Sequence, residues 1–476
     1  MAIEKLPING DAYKNVDQVG LTRMSPRLFD GYVTERPENQ DRSFTVKRPG
    51  LTEFVDLGTG KPVDGLYWWS RQGVIIATSG NSVFSIDQAG DETDITGDAL
   101  SGLGRPAFTD NGTTLIIADK GLRLLSYVPG GTTTFIPGVN VPADITHLGY
   151  LDGYILAAGD DSNNFYWSDL DDPLVWTAIS FGAAEANPDF IRAMSVAWRE
   201  ILLIGDKSVE VYYNDGVGPF GRREGSYTER GIGARHSLIA ADNTWFWLDN
   251  FRRIVRLDGP TPKIVSSPFD KVLANMTRID DAFSTLLEVD GRNFILFTFP
   301  TAKQTFVYDY ARRRWAEWSY WNPTLAERTR YRGNSGAYAE PWGKWLVGDM
   351  ANGKVHHVDP AVYGDDGDDI RFERRTGHIT HGVLKRKRSN EISVQVKRGS
   401  GNDDVTDPQL MLRWRNQNGL WGNEHWKSMG KIGDNESVVH FKRLGIYRSR
   451  QYSFVHTDQT PFTIVDAEED VEALIS

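Results

Sequence analysis

Residues 65–87, GLYWWSRQGVIIATSGNSVFSID, read as three short strands joined by two tight turns. LYWW and VIIATS are apolar or β-branched runs of strand length, parted by a polar turn at Gly73. SVFSID follows the turn at Gly80-Asn81 and ends on an acid. The same order recurs downstream in PAFTDNGTTLIIADKGLRLLSY (106–127) and ITHLGYLDGYILAAGDDSNNFYWSDL (145–170). It appears again in residues 192–216, 237–259, 282–310 and 335–359, giving seven units. Their central turns fall at Gly73, Gly112, Gly153, Glu200, Asn243, Gly291 and Gly343, with a mean spacing of 45 residues. That period fits a β-propeller with four short strands per blade. A lone meander with two apolar faces cannot bury both, whereas a ring of blades covers each face with the next. A pair of β-sandwiches with evenly spaced strands is the other reading of the pattern, and six blades result if one unit belongs elsewhere. Neither a WD dipeptide nor a kelch double glycine marks the units.

The texture changes after Asp359-Pro360. YGDDGDDIRF (363–372) is acidic and glycine-rich, which suits an exposed linker. Beyond it, ISVQVKRG, PQLMLRWRN, SVVHFKRL, RQYSFVHT and FTIVDAEEDVE alternate like strands of a compact β-sandwich. The first 50 residues are turn-rich with little periodicity, as expected of an extended arm packed on one of the two domains. The sequence thus predicts an all-β chain with an arm over 1–50, a seven-bladed propeller over 51–362 and a sandwich over 363–476.

Composition is globular, with 40% hydrophobic and 12% aromatic residues. The absence of cysteine excludes disulfides and thiolate metal sites. MAIEKLPINGD lacks the apolar core of a secretory signal, and the longest apolar runs are far too short for a membrane helix. The net charge of −11 is uneven: residues 370–476 carry +3 and the remainder −14. An acidic body argues against broad nucleic-acid affinity, which needs clustered Lys and Arg to displace phosphate counterions.

Candidate chemistry is sparse. His378 and His381 of HITH have a ligand-like spacing, yet residues three apart on a strand face opposite ways. The same holds for His356-His357. RGIGARHS (230–237) lacks the strand–turn–helix setting of a nucleotide site, so Gly231 and Gly233 are expected in a tight turn between blades. The carboxylate pairs Asp160-Asp161 and Asp171-Asp172 could serve glycoside hydrolysis, although solvated turns explain them better. RWRNQNGLW (413–421) is slightly similar to the Asp-box turn of sialidase-like propellers, but has Asn416 and Asn418 where acids belong. ARRRW (311–315) fits a blade's outer edge, with arginines that blunt an edge strand. The run Lys385-Arg386-Lys387-Arg388 suits a solvated loop, a protein interface or a DNA contact. No catalytic, cofactor or metal residue is assigned.

The C-terminal stretch from Leu410 is the most distinctive. It carries Trp414, Trp421, Trp426, a Gly430–Gly433 turn, Arg443-Leu444-Gly445, Arg448 and a Glu-rich final strand. This ending resembles that of packaged-DNA stabilisation proteins, the tail-hub or nozzle subunits of short-tailed bacteriophages (podoviruses). GARHSLIAADNTWFWLDNFRRIVRLDG is similar to the middle of that family, and KRPGLTEF, with Pro49-Gly50, to the end of its N-terminal arm. The resemblance implies a virion tail protein: a homohexameric ring below the portal and adaptor that continues the DNA channel and helps retain packaged DNA. It also implies a plug, needle or fibre protein as partner, and double-stranded DNA passing without specific binding. Closed rings need two different patches per subunit. Trp421, Trp426, Lys385, Arg386, Lys387, Arg388, Arg443 and Arg448 are the candidate interface, since aromatic and Arg side chains anchor most interfaces. The rival reading is a propeller glycoside hydrolase or glycan-binding protein, which would gather carboxylates in a central pocket.

Overall fold

In the computed structural model, the strand Val74–Ser79 is buried from Ile75 onward and feeds two separate cores. Ile75 and Ala77 join Leu346 and Val355 on one side, while Ile76 joins Leu115, Ile117 and Leu125 on the other. Alternate residues of a strand face opposite ways, so an unbroken apolar run marks a strand covered on both faces. LIIA (115–118), ILAA (155–158), ILLI (201–204), WFWL (245–248) and FILF (294–297) are divided between neighbouring cores in the same manner. The structure describes residues 2–10, 12, 26–36, 39–159, 162–184, 187, 189–216, 220–397, 401–417, 419–431 and 438–474.

Seven sheets carry the repeat. The first consists of Val63–Trp69, Val74–Ser79, Ser82–Ile86 and Glu92–Asp94, all antiparallel. The next five blades span residues 107–135, 145–183, 191–222, 239–264 and 283–317. The seventh has Gly333–Ala339, Lys344–Asp349 and Lys354–Asp359, and its fourth strand is Gly50–Asp56, from before the first blade. Asp359 lies opposite Gly50, and a cluster containing Val55, Leu66, Ala77 and Leu346 packs the seventh blade on the first. Ser335 Oγ adds a hydrogen bond to the Val63 carbonyl, 2.8 Å.

The C-terminal residues form two sheets around a shared core. One sheet runs Gly31–Arg36, Asn39–Lys47, Thr463–Ala473, Lys387–Val396, Val438–Tyr447, with Ala2–Lys5 also paired to Thr463–Ala473. The other runs Arg27–Phe29, Phe372–Arg375, Arg450–His456, Gln409–Asn416, His425–Ser428. Ile392, Val394, Leu410, Leu412, Phe441, Phe454 and Ile464 interleave between them. Arg27–Phe29 also pairs in parallel with Arg314–Glu317, placing Phe29 opposite Glu317, so blade 6 and the second sheet form one nine-stranded sheet.

Three expectations are corrected. The described part of residues 1–50 does not lie on one domain as an extended arm; it supplies strands to both sandwich sheets and couples one of them to blade 6. The 363–372 stretch is no exposed linker, because Asp365 is buried and ion-paired. Arg314–Glu317 is not an edge strand, since Arg27–Phe29 covers it and Arg314 pairs with Glu35 at 3.0 Å.

Candidate assembly interface

The sequence Lys47-Arg48-Pro49-Gly50 sits where the N-terminal strands, blade 7 and the sandwich meet. Arg48 is fully buried, and its guanidinium donates to Asp365 through Nη1 and Nη2 at 2.8 and 2.6 Å and to Asp30 through Nε at 3.0 Å. Its remaining N–H groups reach the carbonyls of Ser319 and Pro49. Burial pulls the Arg48 pKa down, but the paired carboxylates outweigh it and raise it overall. Asp30 also accepts from Arg328 at 2.6 Å and from the Ser319 hydroxyl and amide. Arg328 continues to Glu373, which gathers Arg375, Arg413 and the Ser453 hydroxyl. Burial opposes ionisation of Glu373, yet Arg375, Arg328 and Arg413 together hold it below the usual carboxylate range. Gly50 is required for a different reason: a Cβ there would lie 2.1 Å from the Gly364 carbonyl oxygen. One continuous polar network therefore ties the propeller to the sandwich, and breaking one partner of such a buried pair costs about 3–5 kcal/mol.

Trp421 caps the outer end of that network. It is half-buried, with the guanidinium carbons of Arg415, Arg413 and Arg375 at 4.8, 5.1 and 5.7 Å from its ring centre. Leu420 beside it is 94% exposed, and Trp426, on the neighbouring edge strand His425–Ser428, is 43% exposed. Trp414 packs on the sandwich core and stacks on His425 at 4.7 Å.

The basic candidates belong to the other sheet. Lys385, Arg386, Arg388, Arg443 and Arg448 are exposed. Arg448 Nη1 donates to the Leu384 carbonyl at 3.3 Å, while Arg388 faces Glu472 at 3.4 Å. Lys387 is corrected: it points inward, is 1% exposed, and its Nζ donates to the carbonyls of Val383, Lys385 and Arg448. Strand alternation accounts for this, as Lys387 and Arg388 face opposite ways. Arg443-Leu444-Gly445 forms a β-bulge opposite Ser389–Glu391, with φ of 63° at Arg443 and 80° at Gly445. The bulge buries Leu444 and turns Arg443 outward.

The remaining motifs are absorbed by structure. His378 bonds Ser449 at 2.8 Å and His381 bonds the buried Glu469 at 2.9 Å, so the two share no ligand. Glu469 also accepts from Tyr447 and Tyr452. His356 is buried against Asp349, with His357 on the opposite side of the strand. Gly231 and Gly233 do link blades 4 and 5, but by close approach and not by left-handed turns. Added Cβ atoms would meet the carbonyl oxygens of Asp206 and Asp249 at 1.9 and 2.6 Å. Asp172 caps the Leu174 amide, and Asp171 occupies a turn with φ of 56°. Asp160-Asp161 and Asn418 lie outside the described residues. Among the described residues no group of three or more His, Asp and Glu side chains could hold a metal, and no helix is long and apolar enough to cross a membrane.

A family model described as the β-propeller of bacteriophage P22 Gp10 matches residues 29–363. The chain belongs to that family. The matched span begins at the strand joining blade 6 to the sandwich and ends just past blade 7. It contains both KRPGLTEF and the GARHSLIAADNTWFWLDNFRRIVRLDG stretch, while the last 65 residues lie beyond it. The family makes this a bacteriophage structural protein with a place in the virion. No curated protein matches the chain. Solved structures with similar backbones include a computationally designed protein, Ika8, at 10% identity, TM-score 0.37, covering 64% of this chain and 99% of that one. YCF48 bound to D1 peptide is similar at 10% identity and TM-score 0.41, covering 66% and 97%. The extracellular domain of the putative hybrid two-component system BT4673 from B. thetaiotaomicron gives 10% identity and TM-score 0.46, covering 81% and 48%.

Proposed function

We propose that this chain is the ring-forming hub, or nozzle, subunit of a short phage tail. Six copies assemble below the portal and adaptor, continue the DNA channel and help retain packaged DNA; a plug, needle or fibre protein docks on the far side. Family membership over residues 29–363 is the observation that carries this reading. The continuous sheet between blade 6 and the sandwich supports it, because a subunit transmitting load along a tail needs rigid coupling between its parts. The charge division fits as well: an acidic body repels DNA phosphates and lets the duplex slide, while the sandwich offers arginines and tryptophans to a neighbour. In this reading the protein has no catalytic role. Trp421, Trp426, Arg386 and Arg443 form one patch set of a heterologous contact, and a different surface of the next subunit receives it. Incubating the purified protein with tail-less phage heads tests the proposal: heads should acquire the protein and retain their DNA. Heads that neither bind it nor hold DNA better would refute it.

A further inference from the structure

The outermost strand of a blade has a free edge, and proteins blunt such edges with charge, proline, shortness or a covering segment. Six of the blades follow that rule. Blade 1 ends on Glu92–Asp94, polar and fully exposed, and blade 5 on Thr261–Ile264, which carries Pro262 and Lys263. Blades 2 and 4 end on strands of only two residues. Blade 6 is covered by Arg27–Phe29, and Gly364–Asp365 lies along the closing strand of blade 7. Blade 3 is the exception. It ends on Phe181–Ala183, paired only with Asn164–Trp167 among the described residues, and Phe181 is exposed.

The segment leading into that strand is apolar too. Leu170, Leu174, Val175 and Ile179 are exposed, Ile179 at 84%, so five large apolar side chains stand open within twelve residues. Nowhere else does the described chain expose so many over that length. The segment is firmly held, because Trp176 within it is buried with Ile116, Ile136, Ile145 and Ile155 in the core between blades 2 and 3. The Trp176 indole donates to the Pro173 carbonyl at 3.2 Å, and the Asp169 amide to the Val175 carbonyl at 2.9 Å. An apolar surface kept in place against water marks a contact site. It is also the acidic extreme of the chain: residues 124–191 contain nine Asp and Glu and no Lys or Arg. Asp171 and Asp172 are exposed beside Leu170.

The sandwich carries the complement. His425–Ser428 is likewise an edge strand, and residues 409–431 hold four Lys and Arg against one Glu. Trp426 lies opposite Met411, which puts it on the face of its sheet that bears Arg413 and Arg415. Leu420 and Lys427 in the same stretch are exposed. The sandwich joins the propeller at blades 6 and 7, and in a ring of seven the blade opposite that junction is blade 3. The two patches therefore lie on opposite sides of one subunit, as a head-to-tail contact requires.

We propose that the outer edge of blade 3 receives the Leu420–Lys427 edge of the sandwich from a second copy of this chain. The inference rests on the ring reading above and names the surface that receives the sandwich. Leu170, Leu174, Ile179 and Phe181 cover Leu420 and Trp426, while Asp171 and Asp172 meet Lys427.

The chain has no cysteine, so introduced thiols report the contact directly. Full-length Ile179→Cys and Leu420→Cys chains are mixed under conditions that give rings and treated with a short bis-maleimide. Pairs of twice the chain mass are expected from the mixture and from neither variant alone. Thr93→Cys, on the outer edge of blade 1, should stay unlinked when mixed with Leu420→Cys. Ile179→Asp/Phe181→Ser should raise the concentration for half-assembly about tenfold or more, with an unchanged circular dichroism spectrum. Rings in which Ile179 and Leu420 stay unlinked, or in which Thr93→Cys links equally well, overturn the proposal and leave the ring reading intact; the blade 3 edge then belongs to a different tail protein. A wild-type chain that never forms rings overturns both.

Discussion

Replacing Arg48 by Met removes the charge at the centre of the junction while keeping an apolar side chain of similar length. Asp365 loses both of its guanidinium bonds, and Asp30 loses one but keeps Arg328 and Ser319. The Asp365 carboxylate, stripped of its paired guanidinium with only Arg332 and Lys47 acting on it from nearby, dominates the loss, and about 4 kcal/mol is expected for breaking a buried pair of this kind. Unfolding entropy near 2.1 cal/mol/K per residue gives about 1 kcal/mol/K for a chain of this length, so a single cooperative transition should fall by about 4 °C. Neutralising the partner as well, in Arg48→Met/Asp365→Asn, should recover roughly half, because an amide is far cheaper to bury than an unpaired carboxylate. Differential scanning calorimetry measures the shift, and hydrogen exchange locates it. Amides of Gly50–Asp56, which close the seventh blade, should exchange faster in the single variant than those of blade 3. A single variant melting within 1 °C of wild type, with unaltered exchange at that strand, would show that the network does not hold the junction.

Three further outcomes follow from the same contacts. His456 is buried between the Gln409 carbonyl and Thr460, and burial, then Lys47, push its pKa down to about 3. Its folded value lies below the unfolded 6.5, so this histidine costs nothing above pH 6.5 and destabilises progressively down to about pH 3. His456→Gln should accordingly reduce the loss of stability between pH 7 and 4.5 by about 2–3 kcal/mol in urea titrations; an unchanged acid limb would contradict the assignment. Gly50→Ala should cost about 1–3 kcal/mol or more through the clash with Gly364, whereas Ala at Gly73, whose added Cβ meets nothing, should cost about 1 kcal/mol for its left-handed φ. If chemical denaturation ranks the two the other way, the close approach at Gly50 is not what selects glycine. Trp421→Ala should cost no more than about 1–2 kcal/mol, because the ring covers arginines at the rim; a loss above 4 kcal/mol would make it a core residue.

The repeat was legible because its central strands are covered on both sides. Ile75, Ile76 and Ala77 are adjacent apolar residues serving two cores, and that demand leaves a visible run in every blade. Gly50–Asp56 was not legible as part of blade 7, since its partners lie about 300 residues away and pairing at that distance leaves no local period. A signal existed nonetheless: each of the seven units reads as three strands where a blade takes four, and the strand-like GLTEFVD (50–56) lies outside all of them. The interface candidates were read partly wrongly at Lys387, where a run of like charge in a strand conceals alternation. The cluster of Arg105 and Lys120 with Arg235-His236 escaped notice because the first two lie more than 100 residues from the RGIGARHS stretch and meet it only in the fold. The Arg443-Leu444-Gly445 motif was visible as a pattern, and its reason, a bulge with two left-handed residues, needed the register.

The central claim is that this chain builds a closed ring in a phage tail, and its assembly state tests that most directly. Native mass spectrometry and negative-stain microscopy of the purified protein, across a range of concentrations and with the adaptor ring present, should give six copies and six-fold particles with a central opening. Trp421→Ala combined with Arg386→Glu should shift the population toward monomers without unfolding it. A wild-type chain that stays monomeric under all these conditions, or forms open filaments in place of rings, would contradict the account.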